Sequence, residues 1–110
     1  MVRIIMNGCN GHMGQVISDL VSKDENAEIV AGVDLQDIGR YSYPVFTELE
    51  ACDVKADVMI DFSSAKATDA VLEYCGSREL PLVLCTTGLS QEQLQKVEET
   101  AEKTAVLRSA

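Results

Sequence analysis

The 110-residue chain carries one histidine, His12, and no pair of cysteines in C-x-x-C spacing. A single histidine excludes a multi-histidine metal centre and any histidine acid–base pair. Cys9, Cys52, Cys75 and Cys85 are widely spread, which reads as reduced, mostly buried thiols of a cytoplasmic protein. No apolar run approaches the ~20 residues of a membrane helix, and the apolar start is too short for a signal peptide. Positive charge is also scarce: 9 Lys and Arg against 18 Asp and Glu give a net charge of −9. Neither nucleic acid nor an anionic membrane is then an expected partner, and any anionic ligand must be held by local backbone dipoles.

What remains is a composition of one globular domain, 46% hydrophobic and 25% charged. Apolar runs and helical patterns alternate along it. Val2–Met6, Glu28–Asp34, Asp57–Phe62, Pro81–Cys85 and Ala105–Leu107 read as strands, and Tyr43–Phe46 as a short edge strand that tolerates Pro44. Met13, Val16, Ile17, Leu20 and Val21 recur at helical spacing after the first strand. Ala67, Ala70, Val71, Tyr74 and Cys75 do so after the fourth, and Leu94, Val97 and Ala101 after the fifth. Ser90 and Gln93 form a capping box for that last helix. The segment from Leu35 to Tyr43 reads as a polar loop. The expected fold is α/β, a Rossmann-type doubly wound, mostly parallel sheet in a single domain over 1–110, with strand order 3-2-1-4-5-6. Ligands of such sheets lie beyond the carboxyl ends of the strands, here the loops at 7–14, 34–40, 61–65, 85–90 and 108–110.

The first of these loops is the most informative. Gly8, Gly11 and Gly14 open a helix straight after a strand, and Asp34 closes the next strand twenty positions later. Glycines permit a tight turn and close approach of backbone to a pyrophosphate, which the helix N-terminus attracts. Asn10 stands near the usual second glycine and belongs to the few residue types that accept positive φ. Asp34 can accept hydrogen bonds from both ribose hydroxyls and repels a 2′-phosphate, and Leu35 offers no cation, so NAD is favoured over NADP. Arg40 is the one nearby cation left open. His12 and Cys9 share the loop, without the base and orienting partner that nucleophilic catalysis needs. Phe62 ends a strand where it borders either a ligand ring or the core. The hydroxyls of Thr86 and Thr87 suit a nicotinamide carboxamide, a substrate carboxylate or an ordinary turn. No catalytic residue and no metal ligand is expected within the chain.

Together, Gly8-Cys9-Asn10-Gly11-His12-Met13-Gly14, Asp57-Val58-Met59-Ile60-Asp61-Phe62-Ser63 and Cys85-Thr86-Thr87-Gly88 resemble the 4-hydroxy-tetrahydrodipicolinate (dihydrodipicolinate) reductases, along the whole chain. The resemblance implies NADH- or NADPH-dependent reduction of a cyclic dicarboxylate in diaminopimelate and lysine biosynthesis. It places Gly8, Cys9, Asn10, Gly11, His12 and Met13 at the pyrophosphate and Asp34 at the adenosine ribose. Cys85, Thr86 and Thr87 fall near the nicotinamide, Phe62 stands where the family has an aromatic neighbouring the cofactor, and Ser109 and Ala110 begin a further cofactor loop. Three positions depart from the family: His12 stands in place of a common arginine, Cys85 in place of glycine, and Leu35 where some members carry an arginine for NADP. The family's second domain, with its His-His-x-x-Lys motif, substrate site and tetramer-forming sheet, has no counterpart here. The chain therefore reads as an inactive cofactor-binding piece of a tetrameric enzyme. The alternatives are the cofactor domain of a homoserine- or aspartate-dehydrogenase relative, and a non-catalytic module sensing NAD or CoA.

Overall fold

Nearly continuous apolar runs are stable as strands only where a sheet is covered on both faces. In the computed structural model, which describes residues 1–109, six such strands form one sheet. They are β1 (Val2–Asn7), β2 (Ala27–Val33), β3 (Val45–Phe46), β4 (Val58–Asp61), β5 (Leu82–Leu84) and β6 (Val106–Arg108). Their order is β3-β2-β1-β4-β5-β6, as expected, and every pairing is parallel where a mostly parallel sheet was expected. Helix α1 (His12–Ser22) links β1 to β2, α2 (Thr68–Arg78) links β4 to β5, and α3 (Gln91–Ala101) links β5 to β6. Right-handed crossovers that run outward from the β1–β4 centre in opposite directions place α1 on one face and α2 with α3 on the other. The edge strand is shorter than expected: Pro44 precedes it and lends only its carbonyl, which accepts from the Gly32 N–H.

Alternation along the strands divides the core. Ile5, Ala31, Val33, Met59, Leu82 and Leu84 point to the α2–α3 side and pack with Val71, Leu72, Tyr74, Cys75 and Val97. Burying each large aliphatic side chain contributes about 1.5–3 kcal/mol. The Tyr74 hydroxyl donates to the Cys52 carbonyl, and the Arg78 guanidinium lies 3.7 Å over its ring. Ala70 and Ala101, expected in this core, are exposed; Thr68 and Thr100 are buried instead.

The opposite face corrects the reading of α1. Its buried residues are Gly14 and Ser18, with Ile17 and Val21 half-buried, while Met13, Val16 and Leu20 are exposed, Leu20 by 64%. The cause is close approach: Gly14 brings α1 onto the backbone of the preceding loop, so the small residues form the contact and the apolar stripe turns sideways. Beside that stripe, Val58, Ile60, Val83 and Leu107 share the face of Ile4 and Met6 through the strand register. Only Ile4 and Met6 are fully covered; Leu107 is 63% exposed. Among the described residues, no helix is long and apolar enough to cross a membrane.

All four cysteines are free, with Cys9, Cys52 and Cys75 buried and Cys85 half-buried. Burial, with the Asp34 charge, pushes the Cys9 thiol up to about 11; burial, with the Asp61 charge, pushes Cys75 up to about 12. Burial raises Cys85 as well. Thiol titration at pH 8 should find one slowly reacting group in the native protein and four after denaturation. A folded state that holds these protons more tightly than the unfolded chain keeps its full stability below pH 9 and loses it as pH rises toward 11. Denaturant midpoints flat across pH 9–11 would contradict this.

Candidate functional site

The loop after β1 is shaped by two glycines for which no other residue fits. Gly8 has φ +84°, and a Cβ there would stand 2.7 Å from the Phe62 carbonyl oxygen. A Cβ on Gly14 would run into the Gly8 carbonyl oxygen and stand 2.7 Å from Cys9 Cα. Gly11 is different: it has ordinary extended φ and ψ, and nothing closer than 3.5 Å would meet its Cβ. Its bareness leaves room on the open side of the turn. Gly11 is also the N-cap of α1, without a side-chain acceptor and without an acidic residue in the first turn. Helix α3, in contrast, closes its first turn with the full Ser90–Gln93 capping box. The start of α1 therefore retains donors and a positive dipole end suited to an anion.

The loop is clamped from outside. The Tyr41 hydroxyl donates to the Cys9 carbonyl, Tyr43 and Ser18 share a hydrogen bond of 2.9 Å, and the two tyrosine rings stack at 4.6 Å. Beneath them Gly32 leaves space that a Cβ would deny, 2.6 Å from the Tyr43 ring and 2.9 Å from the Cys9 sulfur. The Leu35–Tyr43 segment, read as a merely polar loop, is in fact this clamp. Its signal was available in two tyrosines spaced to face the same side.

Asp34 joins the two halves of the site. Its Oδ2 accepts from the Asn10 N–H at 2.9 Å and its Oδ1 from the Leu35 N–H at 2.7 Å. Asn10 returns the contact through its side-chain amide, which donates to the Gln36 carbonyl at 2.7 Å. Each carboxylate oxygen keeps a lone pair for a further donor. Leu35 is 87% exposed and carries no charge. Arg40 turns away, 6.0 Å over the Tyr41 ring, and borders a hollow with Ser18 and Asp19, not the cleft at Asp34.

That cleft is open, of about 530 Å³, and is lined by Gly8, Asn10, Gly11, Asp34 and Phe62 among the residues singled out in the sequence. Cys9 is buried under the loop, and His12 and Met13 are exposed at the start of α1. Cys85, Thr86 and Thr87 stand at the carboxyl end of β5, outside the cleft wall. They connect to it through a residue not chosen from the sequence for the site. Asp61, fully buried at the end of β4, accepts from Asn7 Nδ2 at 2.9 Å, from the Ser63 N–H at 3.2 Å, from Ser63 Oγ at 2.5 Å and from Thr86 Oγ1 at 2.7 Å. An acid closing an apolar run beside hydroxyl residues was its signal. The Ser109 N–H donates to the Leu84 carbonyl and extends the β5–β6 ladder; Ala110 lies outside the described residues.

A parallel sheet of this order, with a glycine turn, an uncapped helix and a strand-end carboxylate at its switch point, defines a Rossmann-type domain. The family model described as dihydrodipicolinate reductase, N-terminus, matches residues 2–110. The chain belongs to that family. The 4-hydroxy-tetrahydrodipicolinate reductase of Clostridium novyi is 44% identical across the whole chain, and that of Clostridium tetani 42%. The chain spans 44% and 43% of the length of those two relatives. Among solved structures, the dipicolinate-bound dihydrodipicolinate reductase of Paenisporosarcina sp. TG-14 superposes with TM-score 0.80 at 33% identity, covering 93% of this chain and 43% of that one. A WlbA dehydrogenase, solved with NADH and UDP-GlcNAcA, reaches the same TM-score at 16% identity, over 98% of this chain and 34% of its own, and so shares the fold.

Proposed function

We propose that residues 1–110 form the nicotinamide dinucleotide-binding domain of a 4-hydroxy-tetrahydrodipicolinate reductase, with NAD(H) preferred over NADP(H). The observation that carries this reading is the link between Asp34 and the Asn10 N–H, which joins an anion-ready glycine turn to a carboxylate with no cation beside it. The residues fit the cofactor: Gly8 and Gly14 hold the turn in a shape only glycine allows, Gly11 leaves its open side bare, and the start of α1 has no side-chain cap. Gly11 and the first N–H groups of α1 would hold the pyrophosphate, Asp34 the adenosine ribose, and Phe62 would border the cleft. His12 and Met13 flank the phosphates from the first turn, and Cys9 contributes backbone only. Thr86 and Thr87, with Cys85, would meet the nicotinamide end. When bound, the dinucleotide supplies a hydride.

In the whole enzyme that hydride would reduce a cyclic dicarboxylate of the diaminopimelate–lysine route. The further chain of the relatives would hold the substrate and provide the proton, so residues 1–110 alone turn nothing over. A cytoplasmic homotetramer belongs to the same reading, and the net charge of −9 supports partners other than nucleic acid or anionic membrane. The test is NMR mapping with NADH. Amide resonances of Asn10 to Gly14 and of Asp34 should move on titration. Shifts confined to the hollow beside Arg40 would overturn the assignment.

A further inference from the structure

Asp61 is the one acidic side chain fully buried among the described residues. A carboxylate withdrawn from water is costly unless hydrogen bonds replace its hydration. Here four donors do so, and they come from three neighbouring strand ends: Asn7 ending β1, Ser63 after β4 and Thr86 after β5. Two of the four are hydroxyls, each with a single proton. Once that proton points at Asp61, the remaining lone pairs of Ser63 and Thr86 can only accept. Both residues are partly open to solvent, so those lone pairs are available to a ligand.

Position gives this polarity a target. A dinucleotide that places its adenosine ribose at Asp34, beyond β2, and its pyrophosphate at the glycine turn beyond β1 brings its other half to the ends of β4 and β5. We propose that Asp61 is a positioning residue that sets the hydrogen-bond polarity of the nicotinamide end. Through Ser63 and Thr86 it presents acceptors, so that the site takes a carboxamide, with its N–H donors, and rejects a carboxylate in the same place. The inference rests on the cofactor-domain reading above.

Three ligands separate the possibilities by calorimetric titration of the 110-residue chain: NAD+, nicotinic acid adenine dinucleotide and ADP-ribose. ADP-ribose lacks the ring and reports only the Asp34 and glycine-turn half, so its failure to bind would sink the cofactor-domain reading itself. The parent chain should bind NAD+ about tenfold more tightly than the acid analogue, the weight of one hydrogen bond to a charged or mispaired group. In Asp61→Asn the Thr86 and Ser63 protons are released from a pure acceptor, and the ratio should fall to within about twofold while ADP-ribose affinity is unchanged. A merely structural Asp61 would lower all three affinities together and leave the ratio intact, which would overturn the proposal. Should Asp61→Asn fail to fold, Thr86→Val removes one acceptor at the less buried end. It should also reduce the ratio with ADP-ribose binding kept, and a ratio that persists there overturns the proposal equally.

Discussion

Gly14→Ala should lower dinucleotide affinity by about a hundredfold and cost the fold about 3 kcal/mol, while Gly11→Ala folds like the parent. The difference lies in what each new methyl group meets. At Gly14 it strikes the Gly8 carbonyl oxygen and the Cys9 backbone, and backbone cannot rotate aside as a side chain can. Relief requires α1 to slide away from the turn, which misplaces the helix start and its free donors together. At Gly11 the nearest atom is 3.5 Å away, an ordinary contact. Gly11→Ala should therefore keep its melting temperature and lose only part of the affinity, by occupying space on the open side of the turn. Gly39 has φ +70° with open space around it, so Gly39→Ala should show backbone strain of about 1 kcal/mol and normal binding. Thermal melts paired with NADH titration check all three. Equal losses at Gly11 and Gly14 would mean that the turn is not held as described.

Asp34→Ala should remove the preference for NADH over NADPH and weaken both. The first effect follows from charge: a carboxylate placed to receive ribose hydroxyls would repel a 2′-phosphate, and Arg40 is turned toward the Tyr41 ring, away from the cleft. The second follows from geometry. Losing Oδ2 frees the Asn10 N–H, so the glycine turn loses a support as well as the ligand contact. We expect NADH to weaken about a hundredfold and NADPH about tenfold, consistent with loss of one or two charge-assisted hydrogen bonds. Asp34→Asn should retain part of the turn support and lie between. Parallel titrations of the two cofactors on each variant measure this directly.

The contrast between Gly11 and Gly14 also shows where sequence reading stops. Helix number and the Ser90–Gln93 cap followed from local spacing, strand order from the doubly wound fold that alternating strands and helices imply, and the structure contains all three. The glycine turn was legible as a motif, but its three glycines looked alike. Only the assembled structure separates them: the Phe62 carbonyl and a positive φ require Gly8, the packing of α1 on the turn requires Gly14, and nothing crowds Gly11. The same packing explains why the stripe through Met13, Val16 and Leu20 is exposed. Periodicity reports that a helix has an apolar side; it does not say that Gly14 and Ser18 hold the contact. The clamp role of Tyr41 and Tyr43 was missed because their spacing shows that they share a side but not that the Cys9 carbonyl and Ser18 lie there to receive them. Asp61 escaped because its role depends on three segments, Asn7, Ser63 and Thr86, that meet only when the sheet is assembled.

The proposed cradle for NAD(H) lies at the carboxyl edge of this sheet, with Asp34 as its selector. Calorimetric titration of the 110-residue chain with NADH and with NADPH tests it most directly. One NADH should bind per chain, about tenfold more tightly than NADPH. Tighter binding of NADPH, or no heat from either cofactor, would contradict it.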